Sequence, residues 1–409
     1  MIGLVQKRED MATNNFFSKK QPWSAVKDKV VAGYLTPYCA KLLATNKPLK
    51  VVDCFAGKGR FDDGKDGSPL MIAKVIKDIL KTENAYNNKN IEACFIEQKY
   101  HNDLKVNLQY YSQCRVISGK FEENILEILE KNDKDNINLF LYIDPYGIKS
   151  LSFKVFNRLK SMDKVSTEIL MNFNSFGFLR EGFRLLGKNI PKELNISNYE
   201  DDDKNTIERM NEIANGDYWQ EIILNKNSGK INMYEAEELF IKEYMNQLKI
   251  VYNYVINIPI KEKRERLPKY RLIFGSNHPE GLFLMVDTMK KGWNHFLEAS
   301  NEYSLFKEFE LPDYNIGEVN LENEIIALIP STKKIKLVDL WIKLVNKYGI
   351  CFSIVEYREK LAILSGENKN SLGGLFSNDK INIIRNYETK SGRTPRDFDW
   401  KNEIYIERI

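Results

Sequence analysis

The sequence predicts an α/β protein with a mostly parallel sheet and helices on both faces. Three observations carry that expectation. Short apolar runs of strand length (LKVVD, IEACFIE, CRVIS, NLFLYID, TEILMNF) alternate with helical segments to about residue 175. The runs are continuously apolar, as strands covered on both faces are. The first one ends in a glycine-bearing loop, the place where an open α/β sheet meets a ligand.

Taken in order, residues 1–45 read as an N-terminal helical lead, because Trp23, Val26, Val30, Tyr34 and Leu35 recur at helical spacing. LKVVDCFAG is the first strand. The next helix is predicted to start at Ser68-Pro69, with Ser as N-cap and Pro in the first turn, followed by Leu70, Ile72, Ala73, Val75, Ile76, Ile79 and Leu80. IEACFIE is the second strand, a helix covers about 99–111, and CRVISG is the third strand. FEENILEILEK is helical, NLFLYID is the fourth strand, SFKVFNRLKSM is helical and TEILMNF is the fifth strand. Residues 177–250 are polar and helix-rich and read as a helical insertion. VYNYVINIPI and KYRLIFGS are two more strands joined by a charged loop, and the helix PEGLFLMVDTMKKGW closes a main domain of residues 46–297. Residues 298–409 read as a separate small module: three short helices, with NDKINIIRNYE and NEIYIERI pairing as strands, a winged-helix-like pattern.

Composition narrows the function classes. The chain has 409 residues, which suits two or three domains, and a net charge of +4 from 61 basic and 57 acidic residues. That balance permits a nucleic-acid partner without demanding one, since phosphate binding needs a local patch. Five cysteines without a C-x-x-C spacing argue against a disulfide framework or a zinc ribbon, and three scattered histidines argue against a histidine metal site; no metal is expected. No run approaches about 18 uncharged apolar residues and the N-terminus lacks a signal-peptide core, so a cytoplasmic location without a membrane is expected.

The candidate site begins at Asp53-Cys54-Phe55-Ala56-Gly57-Lys58-Gly59, directly after the first strand. Gly57 and Gly59 allow a ligand to approach the backbone closely, and Asp53 offers a carboxylate there. The plain alternative is an ordinary strand-to-helix turn. G-x-G-x-x-G is absent and the loop continues through FDDGKDG, so a pyrophosphate on the helix N-terminus is disfavoured. A ligand lacking pyrophosphate, S-adenosylmethionine (SAM), fits better than a dinucleotide. Glu97, ending the second strand, is placed to accept ribose hydroxyls; the alternative is a helix-starting Glu. Asp144-Pro145-Tyr146-Gly147 ends the fourth strand. The Asp144 carboxylate and Pro145 carbonyl can accept from an amino group and Tyr146 can stack on a ring, against the alternative of a polar turn.

Lys261, Lys263, Arg264, Arg266 and Lys269 cluster between the last two strands. If the first of those strands runs with the sheet, this loop opens on the ligand side and offers cations to phosphate; otherwise it is a solvated loop. Lys27 can meet a cofactor carboxylate or be a surface lysine. Asn172 and Asn174 can line the crevice, and Phe16-Phe17 suits a core.

These residues carry a resemblance. FFSKKQPWSAVKDKVVAGYLTPY, VVDCFAGKGRFDDGKDGSP, FIEQ, YIDPYG and YRLIFGSNHPEGLFLMVDTMKKGW resemble the three-Cys-motif partner protein (TcmP) family, over most of residues 14–297. The resemblance implies a Rossmann-like class I methyltransferase fold and a three-Cys-motif, radical-SAM-like or iron–sulfur protein as partner. D-P-Y-G is also similar to the D-P-F-G of tRNA guanine-N2 methyltransferases and to the [DN]-P-P-[YF] of amino-methylating nucleic-acid enzymes. The second proline is missing, and the aromatic sits one position earlier than in the latter motif.

Two functions follow as expectations. One is a SAM-dependent methyltransferase acting on an amino group, in which Asp53, Phe55, Gly57, Gly59, Glu97 and Lys27 hold cofactor. Asp144, Pro145 and Tyr146 then hold and orient the acceptor, with Gly147, Asn172, Lys263, Arg264 and Arg266 binding substrate. The other is a SAM-binding or scaffold partner without methyl transfer. A nuclease is a third reading, with Asp62, Asp63 and Asp66 as its only local metal-binding carboxylates.

Overall fold

The computed structural model describes residues 22–43, 47–81, 91–135, 137–148, 151–162, 166–194, 206–261, 266–301, 319–366, 380–385 and 403–409. The Phe16-Phe17 pair, Lys263 and Arg264 lie outside the described residues, as does the Trp23 side chain. The chain divides into two compact units, residues 1–282 and 283–409.

The first unit runs α1 (Pro22–Leu43), β1 (Leu49–Asp53), α2 (Ser68–Leu80), β2 (Ile91–Glu97), α3 (His101–Leu108), β3 (Cys114–Ser118), α4 (Phe121–Asp135), β4 (Asn138–Ile143), α5 (Phe153–Lys160) and β5 (Thr167–Phe173). It continues through α6 (Ser175–Leu185), α7 (Ile207–Ala214), α8 (Tyr218–Asn227), α9 (Met233–Leu248), β6 (Tyr254–Ile260) and β7 (Tyr270–Ser276). Helix α10 (Pro279–Asn301) begins here and passes into the second unit, so the division falls inside the helix that was expected to close the main domain near residue 297.

The sheet order is β3-β2-β1-β4-β5-β7-β6. Strands β1 to β5 pair in parallel, whereas β7 is antiparallel to both β5 and β6. Strand β6 therefore points the same way as β1–β5, and its carboxyl end opens on the same edge. The order reverses between β1 and β4, the switch point where open α/β sheets form a crevice.

Strand alternation sorts the buried side chains into two faces. Val52, Leu139, Leu141, Ile143, Ile169, Met171 and Phe173 join the core formed with α4, α5 and α6–α9. Phe140 and Phe274 lie in contact with Tyr34 of α1 at ring distances of 5.7 and 5.2 Å. The N-terminal lead is thus a cover for the sheet. The segment predicted as an insertion is helical, and it is built into the core. Phe178, Trp219, Phe240 and Tyr244 are buried there, and Phe178 stacks on Phe240 at 4.5 Å. Its polar appearance in sequence comes from the outward faces of short amphipathic helices.

One local expectation is corrected. Gly67, not Ser68, is the N-cap of α2. Ser68 is the first helical residue, and its hydroxyl donates to Asp53 Oδ2 at 2.7 Å. The loop after Gly59 is a small hairpin: Arg60 and Asp66 form an antiparallel bridge, and Phe61 N donates to Lys65 O at 2.8 Å.

Within β5, Glu168 is buried and accepts hydrogen bonds from Tyr34 Oη and Ser276 Oγ. Burial pushes its carboxyl up to about 7 against the two hydroxyl bonds, which pull it down. A carboxyl raised above its unfolded value contributes stability below that value and loses it as pH rises through the folded one. Stability on the order of 3 kcal/mol should therefore be lost from this group between about pH 4.5 and pH 8. Glu168→Gln keeps an acceptor for one hydroxyl and is expected to flatten that slope in urea unfolding at pH 5 and pH 8. An unchanged slope would rule Glu168 out as its source.

The second unit contains the rest of α10 with α11 (Leu321–Leu328), β8 (Ile335–Lys336), α12 (Leu337–Tyr348), α13 (Ile354–Leu364), β9 (Ile381–Arg385) and β10 (Ile404–Arg408). The strands form an antiparallel sheet in the order β8-β10-β9, so the two predicted strands do pair, with Ile404 opposite Arg385 and Arg408 opposite Ile381. Trp341 of α12 stacks on Tyr357 of α13 at 5.7 Å. Asp287 of α10 accepts from the Ile354 N–H that opens α13, at 2.7 Å. No described helix is long and apolar enough to cross a membrane.

Candidate functional site

The site assembles where the carboxyl ends of β1, β2, β4 and β5 meet the switch point. On its first side the loop after β1 turns through Gly57 and Gly59 with φ of 65° and 87°. Those left-handed values suit glycine and strain any residue with a Cβ. A Cβ on Gly59 would also press on Leu104 of α3 at 3.0 Å. Asn107 of α3 donates to Lys58 O at 2.7 Å and steadies the loop from outside.

Asp53 is fully buried beneath this loop. Its Oδ1 accepts from Phe55 N at 3.3 Å and its Oδ2 from Ser68 Oγ. Burial, the largest influence, lifts the carboxyl to about 7 even though both hydrogen bonds act to lower it. Asp53 thus shapes the turn from within. Phe55 is half-buried, and its ring packs 4.8 Å from that of Phe121.

Glu97 orders the start of α3, the plain alternative the sequence gives it, and braces the glycine loop as well. Oε1 accepts from Lys99 N at 2.8 Å and Tyr100 N at 3.0 Å, which orders the turn into α3. Oε2 accepts from Gly57 N at 2.7 Å, joining the β2 end to the glycine loop.

On the other side of the crevice, β4 and β5 pair so that Ile143 lies opposite Met171. The same register sets Asp144 beside Asn172. Asn172 Nδ2 donates to Asp144 Oδ1 at 2.7 Å, and Tyr142 Oη donates to Oδ2 at 3.1 Å. Lys27 of α1 reaches the same oxygen at 2.6 Å. Lys27 thus meets a carboxylate of the chain itself. Asn174 caps α6 by accepting from Gly177 N at 2.7 Å, so it serves the helix. Pro145 is buried, Gly147 turns with φ of 83°, and Tyr146 is 63% exposed at the crevice mouth.

The β6–β7 loop leaves from the carboxyl end of β6, on the ligand side of the sheet, which is the condition under which its cations could face a ligand. Of the proposed trio, Arg266 is described and exposed; Lys261 is buried. The loop acids are each ion-paired: Asp62 with Lys58, Asp63 with Lys65, and Asp66 with Lys74 and Arg60. Among the described residues no group of three or more His, Cys, Asp or Glu side chains could hold a metal ion.

Sequence reasoning missed Ser68, Tyr142 and Tyr270. Tyr142 had a usable signal, since it sits two residues before Asp144 and so shares its side of the strand. The Tyr270 ring lies 5.7 Å from Lys27 Nζ, a contact between the two ends of the unit that no local pattern encodes.

Fold and site together define a Rossmann-like α/β protein with a cluster of polar side chains at the switch point of its sheet. No family model matches the chain, and no curated protein matches it in sequence.

Proposed function

We propose that the chain is a SAM-dependent methyltransferase acting on an amino group. The observation that carries this reading is the pairing, across one switch point, of a glycine loop tied to Glu97 with a carboxylate, Asp144, held by Asn172 and Tyr142. The reversed β7 departs from the all-parallel dinucleotide-binding order, as the loop departs from its glycine fingerprint. Both departures favour a ligand without pyrophosphate, and both suit the class I methyltransferase fold that the resemblance implies.

The residues present fit SAM. The left-handed turn at Gly57 and Gly59 puts backbone at the carboxyl end of β1, and Glu97 stands at the end of β2 as a ribose acceptor. Bound SAM supplies an electrophilic methyl group on a sulfonium. The chain's own groups do the rest by positioning: Asp144 and the Pro145 carbonyl accept from the amine, and Tyr146 offers a ring face to the acceptor. The D-P-Y-G likeness makes a nucleic-acid base amine the first acceptor to try. We also read the second unit as winged-helix-like, the chain as a TcmP-type partner of a three-Cys-motif protein, and its location as cytoplasmic.

A second reading, a scaffold that binds without transferring methyl, is favoured by one observation: the carboxylates of Asp53, Glu97 and Asp144 are all bonded to groups of the protein itself. Calorimetric titration with SAM and its demethylated product separates the readings. Micromolar binding of both, followed by tritium transfer from labelled SAM to a nucleic-acid acceptor, is the expected result. Binding without transfer to any acceptor leaves the scaffold, and no binding at millimolar ligand removes the cofactor altogether.

A further inference from the structure

We propose that the amine subsite at Asp144 is an ammonium cage, that Lys27 is its resident, and that the acceptor it is built for is a primary alkylammonium. That the cage is the acceptor subsite rests on the methyltransferase reading; the cage itself does not.

Two groups meet the cation, and two more hold the carboxylate it pairs with. The Lys27 ammonium meets Asp144 Oδ2 at 2.6 Å, with only 12% of the lysine side chain and 24% of the aspartate side chain exposed. The Tyr270 ring stands 5.7 Å from the nitrogen, within cation–π range. Tyr142 Oη and Asn172 Nδ2 hold the carboxylate from its other sides, fixing it against the cation. Asn172 is 1% exposed, and its Oδ1 is buried without a hydrogen-bond partner. A buried acceptor left unmet costs about 1–3 kcal/mol, so Asn172 Oδ1 favours an incoming donor. Its amide is already anchored on Asp144, so the missing donor belongs beside the carboxylate, where an ammonium offers three N–H groups.

Charge sets the substrate class. Once Lys27 is displaced, a neutral base amine leaves Asp144 without a counter-charge, so charge favours an alkylammonium over the base amine that the D-P-Y-G likeness suggests. A primary alkylammonium replaces the Lys27 charge and, not being tethered to α1, can also donate to Asn172 Oδ1, which Lys27 leaves unmet. For transfer, the ammonium gives one proton to the Asp144 carboxylate, which passes it to solvent. The nitrogen lone pair then forms the new N–C bond as the methyl carbon–sulfur bond breaks, its electron pair passing to sulfur and removing the sulfonium charge.

The test uses Lys27→Ala in the full chain with propylammonium chloride as probe, and sodium chloride and 1-propanol as controls. Removing the resident opens the cage. About 100 mM propylammonium is then expected to raise the melting temperature of Lys27→Ala by about 2–4 °C over the controls. The unaltered chain, in which propylammonium must displace Lys27, should respond less, and Lys27→Ala/Asp144→Asn not at all. Equal responses from all three proteins would overturn the cage. If Lys27→Ala does not fold, acetylation of Lys27 relative to exposed Lys29 answers instead, followed by peptide mass. Asp144→Asn should speed it about tenfold, and equal rates would overturn the proposal. Adding SAM to the propylammonium-bound variant tests the reading beneath. N-methylpropylamine supports both; binding without methylation keeps the cage and removes the methyltransferase.

Discussion

Arg271→Ala is expected to cost about 3–5 kcal/mol of stability, the range for breaking a buried ion pair from one side. Arg271 is the second residue of β7 and is 3% exposed. Its Nε donates to Glu237 Oε1 at 2.9 Å, its Nη1 to Asn257 Oδ1 at 3.2 Å, and its Nη2 meets both Glu237 and Glu238. Glu237 lies on α9, is 1% exposed, and also accepts from Ser175 Oγ at 2.7 Å. Burial works against the guanidinium charge, but Glu237 and Glu238 outweigh it and hold the group above its ordinary value. Truncation would leave the Glu237 carboxylate buried with a serine hydroxyl as its remaining side-chain donor. The measurement is urea unfolding of Arg271→Ala beside Arg271→Met/Glu237→Leu, which removes both charges and keeps the volume. The double variant should recover most of the loss. A single-variant cost below about 1 kcal/mol would show that water reaches the pair.

The consequence extends to the crevice. Arg271 lies opposite Phe173, and its neighbour Leu272 lies opposite Asn172. The pair that pins α9 to the sheet therefore also fixes the carboxyl end of β5, where Asn172 holds Asp144. A loosened Arg271 should weaken ligand binding as well as stability.

How much of this was legible in sequence follows from range. The parallel strands were plain because burial on both faces leaves continuous apolar runs, and TEILMNF and IEACFIE match β5 and β2 end to end. The direction of β6 and β7 was not, since a hairpin reads the same whichever way it joins a sheet. Asp144 and Glu97 were found because acids at strand ends fall at the crevice by topology. Their partners were harder to find. Lys27 is 117 positions from Asp144, and Gly57 is 40 from Glu97. One signal was present and went unused: a single charge inside an otherwise apolar strand. Glu168 in TEILMNF and Arg271 in YRLIFGS both stand out in this way, and both anchor helices. A charge in such a run must find a partner or be neutralised, so it predicts a long-range bond even where the partner cannot be named.

On the methyltransferase reading, Glu97→Ala is expected to weaken SAM binding about 100-fold or more. A hydrogen bond to a charged acceptor contributes about 1.5–3 kcal/mol, and two ribose hydroxyls on one carboxylate give at least about 3 kcal/mol, or two factors of ten. The variant also strips the acceptor from Gly57 N, Lys99 N and Tyr100 N, so loop order and ligand contact are lost together. Glu97→Gln separates them. Its amide oxygen can still accept from Gly57 N or from the α3 turn, but the charge is gone and only one acceptor remains. Calorimetry should place Glu97→Gln about tenfold weaker than the unaltered chain, between it and Glu97→Ala, with urea unfolding to confirm that both variants fold. If Gln binds SAM as tightly as Glu, the carboxylate acts on the loop alone. The ribose is then held by backbone, and Glu97 becomes a brace between β2 and the glycine turn.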